Sequence, residues 1–262
     1  MNPLVTSWQD AADSLAECVQ QIPDEAFAAP SGLPGWTVGD IVAHIIDLEA
    51  ELAGQTRPPH EPDWDDLPHA DDLFSRYTEV GVDVRRGRTP EQLRAELDEV
   101  LSVRGEQLAA GSQDPDGMIA GVGGIERTFD AMLRMRCFDI FLHELDIRDA
   151  LGMPPPDLGP AARTTVDVMA DALGYIWAKK AGAQPGDVLH FVVSDWQDRW
   201  IAVGEDGRGR DAEPGEPRVT IGVDVMPFIR LASGRDPDLS TVSIDGDVNL
   251  GSAVVENLNV AP

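Results

Sequence analysis

The feature that most constrains the fold is a change in hydrophobic periodicity near residue 185. Before it, apolar side chains recur every three or four residues, which is the spacing of amphipathic helices. After it, Val188–Val193 and Arg199–Val203 follow a period of two around a turn, as expected for paired strands. We therefore predict an α+β chain, with a helical bundle in residues 1–184 and a small α+β domain in residues 185–262.

Helix signals recur throughout the first part of the chain. The best marked helix has Thr37 as its N-cap and Asp40 in a variant of the capping box. Its apolar stripe consists of Ile41, Ile45, Leu48 and Leu52. Gly54 is expected to end the helix. The predicted helices span residues 7–22, 38–53, 71–86, 90–110, 126–151 and 159–181. The segments 57–70 and 111–124, rich in Pro, Asp or Gly, are predicted as loops.

The remaining elements of the second part are short. The period-two pattern predicts a third strand at Arg218–Val223 and a fourth at Thr241–Ile244. Short helices are expected between them, from Asp224 to Ser233, and at the end of the chain, over residues 248–258.

Composition excludes several classes of partner. The chain has 47 acidic and 20 basic residues, a formal net charge of −27. A field of that sign repels nucleic acids and anionic membrane surfaces, so we predict neither as a partner.

No apolar run approaches the ~18 residues needed to span a bilayer. The first residues lack the pattern of a secretory signal, so we expect the protein in the cytoplasm. The sequence carries no signal for an oligomeric state.

Three residues form a candidate set of metal ligands. Asp139 and His143 are four positions apart on a predicted helix, so they share one face. His44 lies in the middle of another helix beside its apolar stripe, where an imidazole needs an internal partner. Two histidines and one carboxylate leave a coordination position open, as in catalytic zinc sites.

Other interpretations of these residues remain open from spacing alone. Asp47, Glu144 or Asp146 could supply the carboxylate, and His44 could be a hydrogen-bonded core residue. Cys18 and Cys137 are far apart and indicate neither a disulfide framework nor a cysteine-based zinc site. Cys137 points away from Asp139 around the helix, so we expect a buried thiol and not a nucleophile.

Three further side chains carry weaker signals. His60 and His69 flank the Pro- and Asp-rich loop, which is either solvated or a lid. Trp36 immediately precedes the N-cap and is expected to pin the start of the helix to the core.

Two motifs resemble those of a known family. LPGWTVGDIVAHIIDLE is similar to the helix-start motif of the mycothiol-dependent maleylpyruvate isomerase family, which belongs to the DinB-like metal-binding four-helix bundles. RMRCFDIFLHELDIRDALG is similar to the second motif of that family, in which an acid and a histidine are four positions apart. The segment from Val219 to Val260, with FIRLASGRDP and VSIDGD, resembles the C-terminal domain of that family. The resemblance implies a DinB-like metal-binding bundle in residues 1–184 and the C-terminal domain of the family in residues 185–262.

The resemblance also implies roles for individual residues. His44 matches the first metal histidine, His143 the second, and Asp139 the carboxylate, which is usually Glu in the family. Asp is one methylene shorter but can still ligate zinc. Arg235 matches a recurring Gly-Arg and is a candidate catalytic residue that neutralises an anionic substrate or thiol; the alternative is a surface arginine at a helix end.

The implied function is that of a metal-dependent enzyme. Its cofactors would be a divalent metal, with zinc as the first choice, and mycothiol, whose thiol the metal would convert to a thiolate. The thiolate would then isomerise a small-molecule electrophile or be transferred to it. Metal-bound water acting in hydrolysis is another possible chemistry. A non-catalytic metal- or ligand-binding module on the same scaffold is the alternative of a different class.

Overall fold

The computed structural model describes residues 2–260, and the chain groups into two compact units, residues 1–164 and 165–262. The sequence places the boundary later, at residues 184–185. The helical residues 173–180 pack on strands of the second unit. Hydrophobic periodicity does not indicate this grouping, because periodicity identifies the type of an element and not the element on which it packs. Within the described residues, no helix is long and apolar enough to cross a membrane.

The first unit is a bundle of four long helices with a fifth helix packed on one of them. The helices are α1 (Pro3–Gln21), α2 (Val38–Leu52), α3 (Leu73–Asp83), α4 (Pro90–Ala110) and α5 (Phe129–Ala150). Helix α1 packs on α5 and α4, and α2 packs on α4, α5 and α3. The bundle predicted from the 3.6-residue period is therefore confirmed.

One difference from the prediction lies just before α5. Residues 118–120 and 126–128 form an antiparallel ribbon, β1 (Met118–Ala120) and β2 (Glu126–Thr128). The segment 111–124 is therefore not entirely loop, and the helix predicted from residue 126 begins at Phe129. Strands of three residues depend on their pairing and carry too few side chains for a periodic signal.

Helix α2 begins as the sequence predicts. The Thr37 hydroxyl accepts a hydrogen bond from the Asp40 amide at 3.2 Å, and the Asp40 carboxylate accepts one from the Thr37 amide at 2.8 Å. This reciprocal capping box satisfies two backbone donors at the helix start. Every residue from Asp40 to Ala50 is buried, so the polar side chains among them must find partners inside the protein.

The second unit is built around a five-stranded sheet. Its strands are β3 (Val188–Val193), β4 (Gln197–Val203), β5 (Gly209–Asp211), β6 (Val219–Val223) and β7 (Ser243–Gly246). Their order in the sheet is β5-β4-β3-β6-β7, and of these neighbours only β3 and β6 are parallel. The helices are α6 (Pro160–Ala170), which spans the division, α7 (Leu173–Tyr175), α8 (Val225–Ala232) and α9 (Val248–Glu256).

The alternation predicted for the strands is confirmed. Leu189, Phe191 and Val193 are buried, and the ring of Phe191 meets that of Phe228 on α8 at 5.5 Å between centroids. The helix expected over residues 159–181 is interrupted after Ala170 and resumes as α7 and a π-helical turn, Ile176–Lys180. Strand β5 was not predicted, because its residues Gly, Arg and Asp carry no apolar pattern.

We expect Thr37→Ala to lower the free energy of unfolding by about 1 kcal/mol, because it removes the side-chain cap of α2. Urea unfolding followed by circular dichroism measures the change. Thr37→Ser keeps the hydroxyl and is the matched control, with an expected loss below about 0.5 kcal/mol. Equal losses in the two variants would contradict the role of the cap.

Candidate metal centre

Two helices of the bundle bring three potential ligands together. His44 projects from the middle of α2, and Asp139 and His143 lie one turn apart on α5. One ligand atom from each lies within 4.8 Å of the other two. The Nε2 atoms of His44 and His143 are each 3.6 Å from an oxygen of Asp139. Two ligands of a tetrahedral zinc ion lie roughly 3.3 Å apart for bonds of about 2.0 Å, so these separations suit a shared ion.

The His44 imidazole is the least satisfied polar group of the cluster. Its side chain is only 5% exposed, and neither ring nitrogen has a hydrogen-bond partner within the described residues. The nearest carboxylate oxygen, at 3.6 Å, is beyond hydrogen-bond distance. Burial lowers the pKa of His44, more than the nearby carboxylate of Asp139 raises it. The ring is therefore neutral, which is the form that ligates metals.

Asp139 is held as an anion. Burial works against its ionisation, but the Arg136 guanidinium and the two histidines outweigh burial and keep the pKa of Asp139 far below its usual range. Arg136 Nη1 donates to Asp139 Oδ2 at 2.8 Å. The carboxylate is thus charged and oriented without a bound ion.

His143 is oriented by a second carboxylate. Its Nδ1 lies 3.3 Å from Asp146 Oδ2, which leaves Nε2 facing Asp139. Metal-binding histidines commonly use the other ring nitrogen in this way, to fix the tautomer and the ring orientation. Asp146, one of the open alternatives for the carboxylate ligand, therefore lies on the far side of the His143 ring.

The other two alternatives are engaged elsewhere. Asp47 binds two arginines, Arg57 and Arg85. Glu144 accepts hydrogen bonds from Ser14 at 2.9 Å and from Arg148 at 2.7 Å. The structure therefore groups Asp139, and neither of these acids, with the two histidines.

Trp36 forms one wall of the cluster. Its ring centroid lies 5.0 Å from that of His44 and 6.1 Å from that of His143, and the two imidazoles meet nearly edge to face at 4.8 Å. Trp36 Nε1 donates to Glu79 Oε2 at 2.8 Å. The sequence predicted only that Trp36 would pin the start of α2.

The loop histidines are tied to α3 and are not ligands in the cluster. His69 Nε2 lies 3.0 Å from Glu79 Oε2, the oxygen that also binds Trp36, and His60 Nε2 lies 2.6 Å from Asp83 Oδ2. His69 is thus connected through Glu79 to the wall of the cluster.

The protein's own cysteines are poor nucleophiles. Cys18 and Cys137 are both free and buried. Burial raises the pKa of Cys18 to about 11 and that of Cys137 to about 12. Neither thiol is ionised near pH 7, so neither is an effective nucleophile.

Arg235 lies in the second unit, where it is half-buried. Its Nη1 donates to the Ser233 carbonyl at 2.8 Å, just after the last turn of α8. This contact fixes the side chain near a helix end, and its role toward a substrate stays a prediction.

Sequence reasoning missed Arg136 and Glu49, which adjoin the cluster on α5 and α2. Arg136 Nε donates to Glu49 Oε1 at 2.6 Å in the bundle interior. The available signal was the placement of Arg136 three positions before Asp139, within reach on a helix. Nothing local links it to Glu49, which is far away in sequence.

Comparison with known proteins defines the family. Residues 8–148 match the sequence model of the mycothiol maleylpyruvate isomerase N-terminal domain, and the chain belongs to that family. Crystal structures of the mycothiol-dependent maleylpyruvate isomerase and of a histidine-to-alanine mutant share 17% identity with this chain, with TM-scores of 0.56 and 0.58. Each likeness covers 92% of this chain and 91% of the other, and it establishes the fold. Comparison with curated proteins gives no match.

We expect the purified protein to bind about one zinc ion per chain, and His44→Ala or His143→Ala to bind less than roughly 0.2, because each variant removes one of the three potential ligands. Metal analysis after dialysis measures this. His190→Ala is the matched control, since that ring stacks on Trp200 in the second unit and is not part of the cluster. Undiminished zinc in His143→Ala would show that the ligand assignment is wrong.

Proposed function

We propose that this protein is a metal-dependent enzyme that activates a low-molecular-weight thiol, mycothiol, for use on an electrophilic small molecule. The observation that carries the proposal is the buried, unsatisfied imidazole of His44 beside an ionised carboxylate and a second, oriented imidazole. Membership of the mycothiol maleylpyruvate isomerase N-terminal domain family supports the choice of thiol.

The ligand set suits thiol activation. His44, Asp139 and His143 would hold a divalent ion, zinc being the first candidate, and leave a position open for sulfur. The bound ion would supply a lowered thiol pKa, so that the thiolate forms at neutral pH. The single negative charge of Asp139 leaves the loaded site positive, which favours an anionic ligand. The Trp36 ring lies beside both imidazoles, with its centroid 5.0 Å from that of His44 and 6.1 Å from that of His143.

A thiolate gives two closely related reactions. Addition of the sulfur to the cis double bond of maleylpyruvate leaves a single bond, about which the adduct rotates. Loss of the proton gained on addition and expulsion of the same thiolate then restores the double bond in the trans form. Transfer to another electrophile uses the same nucleophile, and the sulfur stays on the product.

Zinc-loaded protein tests the proposal when it is mixed with mycothiol and either maleylpyruvate or the electrophile monochlorobimane. We expect thiol-dependent turnover of at least one, followed by the absorbance of maleylpyruvate or the fluorescence of the bimane adduct. His143→Ala should lose it, and His190→Ala should keep it. Stoichiometric zinc without turnover of either compound would contradict the enzyme and favour a non-catalytic metal-binding module.

We also propose that Arg235 neutralises an anionic substrate or the thiol cosubstrate. Arg235→Met should then raise the KM for anionic maleylpyruvate or for mycothiol about 10- to 100-fold, the loss expected for one charge-assisted hydrogen bond. Zinc content should stay the same. Arg218→Met is the control, because that arginine binds Asp247 on the surface. Unchanged KM values in Arg235→Met would leave it a surface arginine.

A further inference from the structure

A buried ion pair adjoins the metal-ligand cluster and takes no direct part in it. Arg136 is 1% exposed and Glu49 is 0% exposed. The Arg136 guanidinium binds Glu49 Oε1 through Nε at 2.6 Å and Asp139 Oδ2 through Nη1 at 2.8 Å. One arginine thus joins a carboxylate of α2 to the carboxylate of the cluster on α5.

Glu49 is itself held from two further helices. Its Oε2 accepts a hydrogen bond from Trp8 Nε1 of α1 at 3.2 Å and lies 3.5 Å from Arg104 Nε of α4. All four long helices of the bundle therefore meet at this carboxylate. Its position is fixed independently of the cluster, which makes it a firm anchor for Arg136.

Stability alone does not account for this arrangement. Burying two opposite charges costs a large desolvation free energy, and well-packed apolar side chains of similar volume are often as stable or more stable. A buried network that includes a potential metal ligand has a second use, however. Carboxylates and imidazoles that bind metals are held in place by hydrogen bonds to residues that do not touch the metal. Loss of such a residue commonly lowers metal affinity 10- to 100-fold.

The geometry allows Arg136 to hold the potential metal ligand Asp139 in place. Arg136 binds Asp139 Oδ2, which also lies 3.6 Å from His44 Nε2, while Asp139 Oδ1 lies 3.6 Å from His143 Nε2. The short side chain of Asp139 is thus held at a fixed angle, in which the arginine binds one oxygen and each oxygen faces one of the two imidazoles. The link to Glu49 also ties α2, which carries His44, to the helix that carries the other two ligands.

We propose that Arg136 is a positioning residue of the metal centre, which aims the Asp139 carboxylate at the ion, and that Glu49 acts on the ion only by holding Arg136. This inference rests on the metal site of the proposed function and deepens it. The bound species would be a divalent cation. The quantity predicted to change is the affinity of the protein for this cation, and not the turnover of a substrate.

The test is the zinc affinity of the folded protein, measured by competition with a chromophoric chelator. Glu49→Gln and Arg136→Lys should each weaken zinc binding about 10- to 100-fold, although neither residue is a ligand. Asp47→Asn is the matched control, because Asp47 is an equally buried acid of α2 that binds arginines but not the cluster. Its affinity should stay within about threefold of wild type.

A double variant separates positioning from general loosening of the bundle. If Arg136 acts through Asp139, then Arg136→Lys should weaken zinc binding little further in an Asp139→Asn background, since residues that act through one another are not additive. The absorption spectrum of the cobalt-loaded protein should also change in Arg136→Lys, because the ligand geometry changes. Circular dichroism confirms that each variant used is folded.

The outcomes are distinct. Wild-type affinity in both Glu49→Gln and Arg136→Lys overturns this inference and leaves the proposed function standing, and so does full additivity in the double variant. Equal weakening in Asp47→Asn also overturns it, by showing that any buried charge of α2 has the same effect. Absence of zinc binding by the wild type overturns the proposed function itself. If Glu49→Gln does not fold, Arg136→Lys and the double variant decide.

Discussion

Helix α2 has to satisfy polar side chains along a stretch in which every residue is buried. Three of its acids do so with arginines from other segments: Asp40 with Arg86 at 3.2 Å, Asp47 with Arg85 at 3.1 Å and Glu49 with Arg136 at 2.6 Å. His44 lies among them and has no hydrogen-bond partner in the part of the chain that the structure describes. The cost of leaving such a group unpaired distinguishes His44 from the structural polar residues of the same helix.

The parts of this structure that depend on local rules could be predicted from the sequence. The capping box at Thr37 and Asp40 set the start of α2, and the four-residue spacing placed Asp139 and His143 on one face of α5. Thr89 as an N-cap and Pro90 in the first turn likewise mark the start of α4. These signals depend on neighbours within one or two helical turns, which a single sequence displays directly.

The parts that depend on pairing across the chain could not be predicted in this way. The ribbon of β1 and β2 exists through three paired residues on each side, and no window of its sequence stands out. The carboxylate of the cluster remained open from spacing alone, because Asp47, Glu144 and Asp146 lay nearby. In the structure these three acids contact arginine, serine or histidine side chains and are not grouped with both histidines of the cluster. Several of these partners come from distant segments of the chain. The pairing of Glu49 with Arg136 was missed for the same reason, since it joins residues 49 and 136.

The burial of Cys18 and Cys137 has a consequence for how the protein would respond to oxidants. Protein thiolates oxidise in steps, the later of which are irreversible, whereas the raised pKa of both cysteines keeps them protonated. Under the proposed function, the reactive sulfur belongs to a small molecule that dissociates. An oxidant would then react with the cosubstrate, which can be replaced. The protein itself would remain unmodified and could bind another molecule of the thiol.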